Sequence, residues 1–258
     1  MNEQRPTNPS QFRTPYAANP TAPAGQVVRP AVAMPSALGV KPDARLANAF
    51  LSQAFRWMFA GLLLTAGVAY VVQTSDELLN VARGSGFLLI MVQLGIVLGI
   101  SGAINRISAT AALGLFFAYA ATLGITIGYI VSLYTTGSVV TAFLSASAMF
   151  GAAAVYGKVT QRSLAKLGGI LFMGLVGLVV AMFINIFLGS SQMTWLISIV
   201  GVALFTALTA YDVQRIQSGD IAARVGSMEK AAVIGALQLY LDFINLFLFM
   251  LRLMGGRS

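Results

Sequence analysis

The chain has no cysteine and no histidine among its 258 residues. The first absence excludes disulfides and thiolate chemistry. The second removes the usual neutral-pH proton shuttle and the commonest transition-metal ligand. A serine protease with a histidine base is thereby excluded, and a pH response near neutrality must come from carboxylates. Charge is scarce too: 9% of residues are charged, where an ordinary globular domain has about 25%. Proline is missing after Pro42, so no proline breaks a later helix. What remains is apolar, at 57% of the chain. That composition is a membrane protein's, and the length suits one membrane domain plus a tail.

The net charge of +8 does not signal nucleic acid. The basic residues are scattered through the tail and short loops, as the positive-inside rule places them in membrane proteins. The lipid bilayer is the expected partner, and no nucleic acid is expected. Residues 1–48 carry all eight prolines, from Pro6 to Pro42, among polar residues. Such a segment buries too little apolar surface to offset chain entropy and is expected to be a disordered, proline-rich cytoplasmic tail. Residues 49–258 form the membrane domain.

Seven apolar segments follow, near 57–73, 86–105, 109–133, 139–157, 168–189, 193–212 and 231–251. Each approaches the ~20 residues that cross a bilayer as a helix. The expected fold is an all-α integral membrane protein, an antiparallel bundle of seven transmembrane helices. Basic loops alternate: Arg56, Arg106, Lys158 with Arg162 and Lys166, then Arg215, Arg224 and Lys230. The alternation places the N-terminus in the cytoplasm. Seven full spans leave Arg252 and Arg257 outside, against the rule, so the last segment either spans despite them or re-enters. Gly95 with Gly99, Gly124 with Gly128 and Ser147 with Gly151 read as small-residue packing pairs. Trp57 and Trp195 lie at segment ends, where the interface suits them.

The last segment, Leu237–Arg252, carries Gln238, Asp242, Asn245 and Arg252 at i, i+4, i+7 and i+14. At about 100° per residue they form one polar stripe. A carboxylate within a bilayer costs roughly 3 kcal/mol, which makes Asp242 a functional candidate. Of the eight acids, only Asp212 and Asp242 fall where the membrane interior is expected. If the sixth and seventh segments bring them together, both cannot ionise cheaply and they would share a proton. The protonated pair would join two helices; the ionised pair would repel or accept a cation such as Ca²⁺, as a weak oxygen-ligand site. The competing reading is structural: Asp212 pairs with Arg215, its i+3 neighbour, and Asp242 pairs with Arg106 or Arg252. Counted from the loop, Asp242 is also deeper than Asp212, so pairing requires the last helix to begin late, with 219–229 outside the membrane.

The C-terminal pattern Ala210-Tyr211-Asp212, then Leu239-Tyr240-Leu241-Asp242-Phe243-Ile244-Asn245-Leu246-Phe247 and Gly255-Gly256, closely resembles the Bax inhibitor family. Ser101–Ser108 and the hydrophobic segments from about 50 to 256 extend the likeness; the tail lies outside it. The resemblance implies seven helices with the last one central, wrapped by the other six. It implies a pH-sensitive Ca²⁺ leak whose sensor and gate are Asp212 and Asp242. It also implies an arginine partner, for which Arg106 is the candidate, and a route lined by a polar position of the second segment such as Gln93. Ca²⁺ and protons are then the transported and sensed ions, with no cofactor and no enzyme activity. Some bacterial members associate with a membrane-bound ATP-dependent (AAA) protease, which supplies a second reading, a membrane binding module acting through the mobile tail. The bacterial inner membrane is the expected location. An intramembrane aspartyl protease is disfavoured, because Leu239-Tyr240-Leu241 precedes the second aspartate where a Gly-x-Gly turn would be needed.

Overall fold

The computed structural model describes residues 44–256. The expected disorder of the tail falls outside that range for residues 1–43, whereas residues 44–48, expected in the tail, open the first helix and bury Ala47. The described chain is helical: α1 (Ala44–Gln73), α2 (Asp76–Gly84), α3 (Gly86–Ala103), α4 (Ala109–Val131), α5 (Thr136–Val159), α6 (Gly168–Leu188), α7 (Ser191–Gln217), α8 (Asp220–Val225) and α9 (Met228–Met254). Seven of these are long and apolar enough to cross a membrane; α2 and α8 are not. α1 begins 13 residues before the apolar run that marks it in the sequence. Its first turns are amphipathic rather than apolar: Ala47, Phe50, Leu51, Ala54 and Met58 are buried at helical spacing. Trp57 is therefore inside a helix, packed edge-on against Phe117 at 6.1 Å, and not at its end.

α9 is the centre of the bundle. In its most apolar window 67% of residues are buried, against 11% in α3 and in α6. It packs on α1, α4, α5 and α7, while α3 packs on α4 and α6 on α7 as an outer layer. The six other spanning helices thus surround α9, two of them at one remove. Phe87, Phe172, Met173 and Phe187 of the outer helices are exposed, as lipid-facing side chains must be. α9 is unbroken over 27 residues, about 40 Å, which exceeds the ~30 Å hydrocarbon core. It is built to span, not to re-enter.

A few polar ties cross the core. The Thr65 hydroxyl donates to the Ala120 carbonyl at 2.9 Å, so the Tyr240 hydroxyl, 2.6 Å away, donates to Thr65. One hydroxyl chain thereby joins α9, α1 and α4 in a dry core, where an unmade hydrogen bond is costly. The last residues are fastened as well: Gly256 N–H donates to Ser138 Oγ at 2.9 Å, and Thr135 N–H donates to Gly256 O at 3.2 Å.

Of the three small-residue pairs, only Gly124 and Gly128 make a close approach. A Cβ on them would sit 2.9 Å from the Thr65 carbonyl oxygen and 2.8 Å from that of Ala69. Gly95, Gly99 and Gly151 face open space, because α3 is peripheral and Gly151 is on the exposed side of α5. Another tight approach, Gly157 against the Ala210 backbone, has Ala153 four residues before it, buried against the same Ala210. Gly157→Ala should lower stability by about 1–3 kcal/mol, since backbone cannot move aside. Gly151→Ala should be neutral or up to about 1 kcal/mol stabilising through helix propensity. Unfolding midpoints in detergent compare the two.

Candidate functional site: a carboxylate pair against the central helix

α7 and α9 run antiparallel, and two contacts set their register. Gly235 faces Ile216, and Gly201 faces the Phe249 ring. Interpolation between them places Asp212 within about one helical turn, ~5 Å along the axis, of Asp242. The depth mismatch disappears because α9 starts two turns beyond the end of α7. That overhang packs on α8, whose Ile221 and Ala222 are buried. Residues 218–227 thus act as the spacer that the pairing requires.

Asp212 and Asp242 are 6% and 4% exposed, the only buried acids among the described residues. They interact electrostatically and line one cavity of about 330 Å³ with Gln238, Asn245, Tyr211 and Arg215. Two buried oxygens here, Asp242 Oδ2 and Gln238 Oε1, have no hydrogen-bond partner. Asn245 Nδ2 donates to the Leu241 carbonyl at 2.8 Å. The polar stripe of α9 is thereby divided. Gln238, Asp242 and Asn245 line the acid cavity, whereas Arg252 lines a separate cavity at the other end of the bundle.

Arg106 does not reach this site. It is exposed in the turn between α3 and α4, on the same side of the bundle as Asp212 but held off by α3's outer position. The guanidinium in the acid cavity belongs to Arg215, which attracts the Asp212 carboxylate. Asp212 thus shares one cavity with Asp242 and has Arg215 beside it. Gln93 turns to α4, donating to Thr126 Oγ1 at 2.8 Å and to Thr122 O at 3.2 Å.

Tyr211 was not singled out from the sequence. A second, polar cavity of about 570 Å³ opens on the side where α7 ends, lined by Gln161, Ser163, Gln214, Ser218 and Asp220. Tyr211 and Arg215 line both cavities, with the guanidinium 5.8 Å from the ring centroid. A Cβ on Gly168 would strike the Tyr211 hydroxyl, so the ring is backed by α6. Gln214 holds the neighbouring loop, accepting from Leu164 N–H at 2.7 Å and donating to Arg162 O at 2.9 Å. The oxygen set at the acid pair is sparse for a divalent ion. Ca²⁺ takes 6–8 oxygens, and among the described residues no group of three or more His, Cys, Asp or Glu gathers.

The fold and site define a seven-helix integral membrane protein with an acid pair against its central helix. The family model for the inhibitor of apoptosis-promoting Bax1 matches residues 47–258, and the chain belongs to this Bax inhibitor family. It is 40% identical to inner membrane protein YbhL of Escherichia coli over 224 residues, 84% of this chain and 95% of that one. It is 41% identical over 222 residues to an uncharacterized protein of Borreliella burgdorferi, covering 84% and 96%. An uncharacterized protein of Deinococcus radiodurans is 40% identical over 210 residues, covering 81% and 91%.

The cysteine-free chain permits a direct access measurement. With Gln238→Cys as the only thiol, a membrane-impermeant maleimide should react slowly. Adding Tyr211→Ala should raise the rate about tenfold, equivalent to ~1.4 kcal/mol of barrier. Equal rates would show that the ring does not separate the two cavities.

Proposed function

We propose that this protein is a passive, proton-gated Ca²⁺ leak, with its N-terminus in the cytoplasm and the bacterial inner membrane as its location. The observation that carries the reading is the shared burial of Asp212 and Asp242 in one cavity, with a carboxylate oxygen and an amide oxygen left unpartnered. The location draws on the name of the Escherichia coli relative. With one proton between them, the carboxylates join α7 to α9 and the route is shut. Loss of that proton places two negative charges in a low-dielectric site, which drives the helices apart. The same loss supplies the charge that draws in a divalent cation. Tyr211 and Arg215 stand where ions would pass between the polar cavity and the pair. The alternative, a module that modulates a membrane-bound ATP-dependent protease, draws on residues 1–48 and gains nothing from the acid cavity.

Ca²⁺ entry into liposomes containing the purified protein should rise from pH 6 to pH 8, since the gate opens as its proton leaves. Asp212→Asn and Asp242→Asn should each abolish that dependence, because neither can form the doubly ionised pair. Dependence unchanged in both variants would remove the pair from the gating role.

A further inference from the structure

Arg252 is one of the basic residues that the charge pattern leaves on the less basic side of the bundle. The structure places it in a cavity of about 580 Å³ between the ends of α4, α6, α7 and α9. No acidic residue lines this cavity. Its polar members all lie within a turn of the helix ends: Arg252 on α9, Asn185 on α6, Thr194 on α7 and Tyr134 in the turn after α4. Of its seven apolar members, Met182, Ile197 and Leu248 lie further in than the polar ones by 3, 3 and 4 residues, about 4–6 Å, while Leu133, Ile186 and Leu251 lie level with them. The cavity is thus polar only near the helix ends, at the depth of lipid headgroups, and wholly apolar deeper in, at the depth of acyl chains.

Two of the four polar side chains are already committed. Asn185 Nδ2 donates to Thr194 Oγ1 at 2.8 Å, and that hydroxyl donates to Ser190 O at 2.9 Å. Arg252 and Tyr134 are the groups that remain to meet a ligand. The guanidinium lies 5.8 Å from the Phe249 ring centroid, a contact that leaves N–H groups to bind elsewhere. The fastening of Gly256 to Ser138 and Thr135 holds this end of α9 in place, and Tyr134 packs against Gly255.

We propose that this cavity is a phospholipid site. The phosphate is held by Arg252 and Tyr134, and an acyl chain lies along Met182, Ile197 and Leu248. Guanidinium binds a phosphate through paired N–H donors, and a basic pocket between helices at the membrane surface suits a lipid headgroup. Inorganic phosphate satisfies the cationic end alone and leaves the apolar half unfilled.

Native mass spectrometry of the full chain in detergent, titrated with phosphatidylglycerol, tests the assignment. Arg252→Gln should weaken lipid binding at least tenfold. Ile197→Trp should weaken it similarly by filling the acyl half while leaving the cation intact. If Arg252→Gln does not fold, Tyr134→Phe with Ile197→Trp carries the test, judged at an unfolding midpoint equal to that of the unaltered chain. Millimolar inorganic phosphate should not displace the lipid. Equal lipid affinity in all variants would overturn the site, and displacement by phosphate alone would make it a phosphate site rather than a lipid site.

Discussion

Two carboxylates are held out of water against the one helix that nearly every other helix touches. Such groups are expensive in hydrocarbon, and the bundle is arranged so that they meet each other, Arg215 and a small cavity in place of lipid. The cost is not fully relieved, since Asp242 Oδ2 and Gln238 Oε1 stay without partners.

The rest of the bundle keeps that contact in place. Tyr240 lies two residues before Asp242 on the opposite side of α9 and ties it to α1 and α4 through Thr65. Gly157 lets α5 press on α7 at Ala210, two residues from Asp212. At the far end, the Gly256 fastening and the Phe205–Phe249 ring pair at 5.9 Å fix α9 against its neighbours. The acid pair therefore sits in a frame clamped at both ends, with α6 lining one wall of its cavity. Two further cavities lie toward opposite ends of the bundle, one at the end of α7 and one around Arg252.

Much of this was legible in the sequence, for physical reasons. Seven runs of about 20 apolar residues announce seven spans, and angular arithmetic alone puts Gln238, Asp242 and Asn245 on one face. What escaped depends on which helix faces which. The start of α1 was hidden because Arg45 and Arg56 dilute an amphipathic segment that buries Phe50 and Leu51. Small-residue spacing on a single helix says nothing about its neighbour, so Gly95 and Gly99 read like Gly124 and Gly128 yet meet no atoms. Arg106 was placed on the correct side, but no one-dimensional signal shows that α3 is in the outer layer. Tyr211 stands beside Asp212 in the sequence, but only the geometry of two cavities sets it apart.

A double-mutant cycle on unfolding free energy at pH 8 tests the central claim most directly, using Asp212→Asn, Asp242→Asn and the double variant in detergent. If the two carboxylates act as one unit, either single change relieves the same repulsion. The double change then adds little, and the cycle shows a coupling of about 1–3 kcal/mol. Effects that add within about 0.5 kcal/mol would mean that the two acids are independent, and the paired-carboxylate account would fall.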